Sequence, residues 1–221
     1  MTGARIAVLI SGQGRNLQAI LDAVGARKIP ATLAGVVSNR ADAPGLARAR
    51  AAAVPAVVVP HTAYADRADF DAALLTELER LRPDIVAMAG FMRVLGNDAI
   101  RRLKGRIVNI HPSLLPKYRG LHTHRRALEA GDAEHGASVH YVTEELDGGP
   151  VAIQGRFRLG PQDNEQTLPE RVMQEVELKI YPQALAWIAR GELRLLAGGL
   201  LFRGRPLAAP LTLADLEPEF R

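Results

Sequence analysis

The chain has 221 residues, 48% hydrophobic and 24% charged, a globular balance that excludes disordered, collagen-like and coiled-coil proteins and needs no metal or disulfide to fold. The formal charge is +4, carried mostly by arginine, too mild to mark a nucleic-acid binder. There is no cysteine, which excludes disulfides, thiol nucleophiles, iron–sulfur clusters and cysteine-type zinc sites; no run is long enough for a membrane span or signal peptide, so a cytoplasmic protein without a membrane partner is expected.

Short apolar runs alternate with helical patterns. Arg5–Ile10 reads as a strand buried on both faces, because its apolar run hardly alternates. Asn16–Val24 follows as a helix with Leu17, Ile20, Leu21 and Val24 on one face. Leu33–Ser38 is a second strand, Gly45–Ala53 a second helix, and Val54–Val59 a third strand. Asp66–Leu81 is an amphipathic helix with Phe70, Leu74, Leu78 and Leu81 on one stripe. Ile85–Ala89 and Arg106–Ile110 are further strands.

After residue 135 the pattern changes. Ala137–Thr143 and Val151–Leu159 are strands around the turn Asp147-Gly148-Gly149-Pro150. Leu168–Ala189 is a long helix, bent or broken near Pro182. Leu193–Leu196 and Leu200–Phe202 form a hairpin, and 211–221 has no period. The reading is an α/β fold: a Rossmann-like, mostly parallel sheet with flanking helices, extended by later strands and a C-terminal hairpin. It is read as one domain over 1–221, with an N-terminal lobe to about residue 105 and a C-terminal lobe over about 106–205. Ligands of such sheets sit at the carboxyl ends of the strands, here Ser11–Asn16, Ser38–Arg40, Ala89–Leu95 and His111–His122.

Three of these segments carry chemistry. Ser11-Gly12-Gln13-Gly14-Arg15-Asn16 leads into a helix start, so it is either a phosphate cradle or a plain tight turn. A dinucleotide site fits poorly, because Leu17 stands where a third glycine belongs and the second strand ends in Asn39-Arg40 without the ribose-binding acid; a Walker loop is excluded. Alternation puts Asn109 and His111 on one side of a strand end, where they either serve an oxyanion and a proton or cap a turn. Asp147, in its glycine-rich turn, either orients an imidazole and raises its pKa or caps its own backbone. His122-x-His124, with His135 and His140 nearby, looks like a chelate, but no carboxylate stands at ligand spacing and no metal is expected. Ser113 has no nucleophile-elbow setting, and Trp187 sits at a helical packing position.

The run His111-Pro112-Ser113-Leu114-Leu115-Pro116-Lys117-Tyr118-Arg119-Gly120 closely resembles the signature of folate-dependent formyltransferases. With Leu121-His122-Thr123-His124 attached, it is similar to the branch acting on glycinamide ribonucleotide. Ile10–Leu17, Ala89–Leu95, Glu145–Pro150 and Ile180-Tyr181-Pro182 match other segments of that family, so the resemblance spans roughly residues 5 to 205.

The resemblance implies formyl transfer from 10-formyltetrahydrofolate to the amine of 5-phosphoribosylglycinamide, in purine biosynthesis. Asn109, His111 and Asp147 would be catalytic: His111 and Asn109 hold the oxyanion, and Asp147 keeps His111 protonated. Gly14, Arg15, Asn16 and Glu177 would bind the ribonucleotide. Arg67, Met92, Arg93, Val94, Leu95, Asn109 and Thr143, Glu144, Glu145, Leu146 and Asp147 would hold the folate. The N-terminal lobe would then bind the phosphate, and the C-terminal lobe would bind folate and carry the catalysis. A monomer or homodimer without nucleic acid or metal is implied.

Three departures stand out. Arg15 replaces a frequent Ser, Glu177-Leu178 replaces a common Glu-His pair, and the spacing from Arg171 to Glu177 is one residue longer than usual. Relatives that formylate methionyl-tRNA or hydrolyse formyltetrahydrofolate carry a further C-terminal or N-terminal domain, so the length and the Leu-His-Thr-His segment argue against both. A noncatalytic folate- or nucleotide-binding module on the same fold is the remaining alternative.

Overall fold

A computed structural model describes residues 3–221. Five unalternating apolar runs form the parallel part of one sheet: β1 (Ala4–Ile10), β2 (Ala31–Ser38), β3 (Ala56–Val58), β4 (Ile85–Met88) and β5 (Ile107–His111). Two antiparallel strands, β6 (Glu134–Tyr141) and β7 (Val151–Arg158), complete a seven-stranded sheet of order β3-β2-β1-β4-β5-β6-β7. Ile6 to Ile10 in the central strand are fully buried, because helices cover both faces.

One face packs on α1 (Arg15–Gly25) and α7 (Leu178–Ala189). The other packs on α3 (Arg67–Leu81) and α4 (Asn97–Arg102). Asp66 caps α3 by accepting the Asp69 N–H at 3.0 Å. The chain runs outward from β1 to β3 and then returns to β4 on the other side of β1. That reversal opens a crevice between the carboxyl ends of β1 and β4, the usual ligand position in such sheets. The loops there are tied together: Ser11 N–H donates to the Gly90 carbonyl at 3.1 Å, and Met92 N–H donates to Ser11 Oγ at 2.7 Å.

The observed elements differ from the expected ones in several places. The third strand shrinks to Ala56–Val58 between Pro55 and Pro60, and the second helix, α2 (Gly45–Ala51), stops two residues early. The sixth strand starts at Glu134 and stops at Tyr141, leaving Thr143 in the following turn. Helices α4 and α5 (Thr123–Glu129) were not expected; at six and seven residues they are too short to show a period.

The long helix is interrupted, but not at the proline. After α6 (Leu168–Val172), a π-helical turn occupies Met173–Glu177, and Pro182 lies inside the continuous α7. A π turn takes up one residue more than an α turn, which accommodates the longer Arg171–Glu177 spacing. Tyr181 fastens α7 to the sheet, its hydroxyl donating to the Met88 carbonyl at 2.9 Å.

The hairpin β8 (Leu193–Leu196) and β9 (Gly199–Phe202) gains a short third strand, β10 (Arg205–Pro206). The aperiodic tail folds back on the domain. Leu211 bridges Ile153, and Glu217 accepts from Trp187 Nε1 at 3.1 Å and from Arg190 at 2.6 Å. Among the described residues no helix is long and apolar enough to cross a membrane.

Candidate active site

The carboxyl end of β5 presents Asn109 and His111 on one side, as strand alternation requires. The antiparallel partner β6 sets His140 directly opposite Asn109. Asp147 arrives from the turn after β6 with a left-handed φ of 47° and is wedged between two imidazoles. Its Oδ2 lies 3.5 Å from His111 Nδ1, and its Oδ1 lies 3.6 Å from His140 Nε2. Gly120 N–H donates to Asp147 Oδ2 at 2.9 Å, and Asn109 Nδ2 donates to His140 Nε2 at 3.2 Å. His140 Nδ1 carries a hydrogen, because it meets the Tyr141 carbonyl at 3.1 Å. For the same reason His111 Nε2 donates to the Tyr118 carbonyl at 2.9 Å.

The structure therefore gathers Asn109, His111 and Asp147 into one cluster and adds His140, which the sequence offered only as a possible metal neighbour. Its pairing across β5 and β6 links residues 31 apart in the chain. The signal that reveals it is strand register, which spacing alone does not supply.

Electrostatics in the cluster reverse one expectation. Burial pushes the His111 pKa down more strongly than the Tyr118 carbonyl and the Asp147 charge push it up. His111 thus titrates below its ordinary 6.5 and is mainly neutral near pH 7. Asp147 favours the imidazolium without making it the resting form. For Asp147 itself, burial raises the carboxyl, but the neighbouring His140 imidazole, the Gly120 N–H and the His111 imidazole hold it below the usual range.

The turn carrying Asp147 is braced by arginines. Arg101 pairs with Glu144 at 3.2 Å, and Arg119 pairs with Glu145. Thr143 Oγ1 reaches the Glu145 carbonyl at 3.4 Å. Across the crevice, Met92 and Val94 are exposed, Arg93 is half-buried and Leu95 is in the core. Met92, Val94, Leu121 and Leu146 make four of the five large exposed apolar side chains among the described residues. They lie on the segments that follow β4, β5 and β6, and exposed apolar side chains of this kind suit a partly apolar ligand. Arg67 is exposed at the first position of α3.

A second group forms at the start of α1. Gly14 is in the left-handed region with φ 71°, and a Cβ there would lie 2.7 Å from the Gly45 backbone. No side chain caps the helix, so its first N–H groups are left open. Arg15 is paired with Glu170 on α6, one of the two bonds measuring 2.8 Å. Asn16 Nδ2 donates to Glu177 Oε2 at 2.6 Å, while Asn16 Oδ1 is buried without a partner. Burial raises the Glu177 carboxyl above its usual range despite the Asn16 amide and the Arg15 charge. Glu177 reaches this group because it closes the π turn.

Two further histidines, His124 and His135, form a pair. His124 Nδ1 and His135 Nε2 are 3.0 Å apart, with the rings edge to face. No group of three or more metal-ligating side chains occurs among the described residues. Burial and the neighbouring ring lower the His135 pKa to about 4, against an ordinary 6.5. Between those values the unfolded chain takes up a proton that the folded chain refuses. Stability is thus fully present above pH 6.5 and falls as pH drops towards 4, by up to roughly 3 kcal/mol. Urea unfolding of the wild type and His135→Gln at pH 7 and 5 checks this; the variant is expected to lose less stability on acidification. Equal losses would reject the assignment.

The family described as formyl transferase matches residues 4–185. The phosphoribosylglycinamide formyltransferase of Escherichia coli is 50% identical over 190 residues, which cover 86% of this chain and 89% of that protein. The trifunctional purine biosynthetic protein adenosine-3 of Homo sapiens is 42% identical over 192 residues, 87% of this chain and 19% of that protein. The solved phosphoribosylglycinamide formyltransferase from Coxiella burnetii has a TM-score of 0.89 at 45% identity, over 95% of this chain and 99% of that one. The match runs through every strand of the large sheet into α7, and this chain belongs to the formyl transferase family.

Proposed function

We propose that this chain transfers the formyl group of 10-formyltetrahydrofolate to the amine of 5-phosphoribosylglycinamide, yielding N-formylglycinamide ribonucleotide and tetrahydrofolate in purine biosynthesis. The observation that carries the reading is Asp147 held between His111 and His140, with Asn109 beside them, at the end of β5. All four come from one chain, so the cluster is complete in a monomer or a homodimer.

The amine attacks the formyl carbon and charge builds on the formyl oxygen. His111 Nε2–H, now held by the Tyr118 carbonyl, turns to that oxygen. Asn109 Nδ2 has a second hydrogen beyond the one given to His140 and donates it to the same oxygen. As the charge grows, a proton on His111 Nδ1 is stabilised by Asp147. The new carbon–nitrogen bond forms, the bond to the folate nitrogen breaks, and one proton passes from the amine to that nitrogen. Asp147 and His111 carry it.

The segments Met92–Leu95 and Thr143–Asp147, with Arg67, hold the folate through apolar contact and arginine charge. Gly14, Arg15, Asn16 and Glu177 hold the ribonucleotide, the phosphate at the open start of α1. On this reading the first lobe, to about residue 105, binds the phosphate. The lobe over about 106–205 binds folate and supplies the chemistry.

The test is formyl transfer from 10-formyltetrahydrofolate with glycinamide ribonucleotide, water and methionyl-tRNA as competing acceptors. Preference for the ribonucleotide is expected; turnover with either of the others alone would overturn the reading.

Glu170 imitates the phosphate by occupying Arg15. Glu170→Gln should therefore lower KM for the ribonucleotide severalfold, and Arg15→Ser should raise it. Steady-state kinetics at low salt decide the matter, and a higher KM in Glu170→Gln would count against the exchange.

A further inference from the structure

Three buried side-chain polar atoms have no hydrogen-bond partner among the described residues: Asn16 Oδ1, Asp71 Oδ1 and Arg93 Nε. The first belongs to the ribonucleotide group. Arg93 lies in the segment 92–96 and Asp71 packs against its end, and nothing above gives Asp71 a role.

Asp71 lies one helical turn beyond Arg67 on α3, 5% exposed, beside the core residues Phe70, Leu74 and Leu75. A carboxylate in such a place is costly to bury, and an apolar side chain would serve packing better. Its Oδ2 accepts the Gly96 N–H at 2.6 Å. Gly96 permits this approach, since a Cβ there would meet Asp71 Oδ2 at 2.8 Å and Arg67 Nε at 3.8 Å. Burial raises the Asp71 carboxyl above its usual range, and the Gly96 N–H and then the charges of Arg67 and Arg93 oppose it in part.

We infer that Asp71 is a positioning residue for the formyl donor: one oxygen pins the backbone of the 92–96 segment, and its charge sets Arg67 and Arg93 around the donor site. This rests on the reading of Arg67 and Met92–Leu95 as the donor pocket. Asp71 does not touch the reacting atoms, so its effect falls on donor binding and spares the chemical step.

Asp71→Asn keeps an acceptor for the Gly96 N–H and removes the charge. KM for 10-formyltetrahydrofolate should rise roughly tenfold, the scale of one lost charge-assisted contact, with kcat and the ribonucleotide KM little changed. Combined with Arg67→Ala, it should add to the donor KM less than it does alone, because only the part acting through Arg93 remains. Gly96→Ala crowds the same oxygen without removing charge, and gives the same donor-specific rise should Asp71→Asn fold poorly.

A purely structural Asp71 would raise both KM values together or add fully to Arg67→Ala, and either result overturns the role. If Arg67→Ala raises the donor KM and neither Asp71→Asn nor Gly96→Ala does, the positioning role alone falls. If none of the three moves the donor KM, the donor pocket lies elsewhere and both readings fall.

Discussion

His111→Ala is expected to lower kcat by about 10²–10³, the usual cost of losing an oxyanion donor, while leaving donor affinity nearly unchanged. His111 faces Asp147 through Nδ1 and the Tyr118 carbonyl through Nε2. Asn109→Ala should lose nearly as much, because it removes a second donor and frees His140 Nε2. The alanine variant of a buried histidine also leaves a cavity, so His111→Asn is the control for packing. Turnover and calorimetric binding of a folate analogue separate the two effects. Turnover within about threefold of wild type in both Ala variants would remove these residues from the chemical step.

Asp147→Asn should have the next largest effect, on the order of 10²-fold in kcat, with a pH signature that a packing defect lacks. Burial lowers the His111 pKa and the Asp147 charge raises it, the burial being stronger. Removing the charge leaves burial opposed only by the Tyr118 carbonyl, so the His111 pKa falls further. The part of the pH–rate profile that needs an imidazolium must then end at a lower pH than in the wild type. An NMR titration of His111 in both proteins measures the shift directly. An unchanged or higher pKa in Asp147→Asn would break the link between the two groups. A lower pKa with an unaltered rate at every pH would leave the contact in place and remove its catalytic meaning.

What could be read in advance follows from the range of the forces involved. The parallel strands were legible because doubly buried strands are unbroken apolar runs, and α3 because its stripe is long. Asn109 and His111 were legible as a pair because alternation is local. His140 was not, since its place depends on the register of β6 against β5. The sign of the His111 shift was not legible either, because the enclosure that outweighs Asp147 is assembled from distant parts of the chain. The helix interruption was placed at Pro182, the residue with an obvious defect. The π turn at 173–177 contains no proline or glycine and betrays itself only as an extra residue in the spacing.

That extra residue lets one rod carry two independent azimuths. A residue in an α-helix turns by about 100°, so deleting one from 173–176 would rotate α6 by that amount against α7. Glu177, one turn ahead of the Tyr181 anchor, would keep its place beside Asn16. Glu170 would swing away from Arg15, and Arg171 from Asp163, which it now holds at 2.6 Å. Indels in this short stretch are thus a dial for the ribonucleotide end of the site, turning the phosphate's rival for Arg15 out of reach while the imidazoles on β5 and β6 stay where they are.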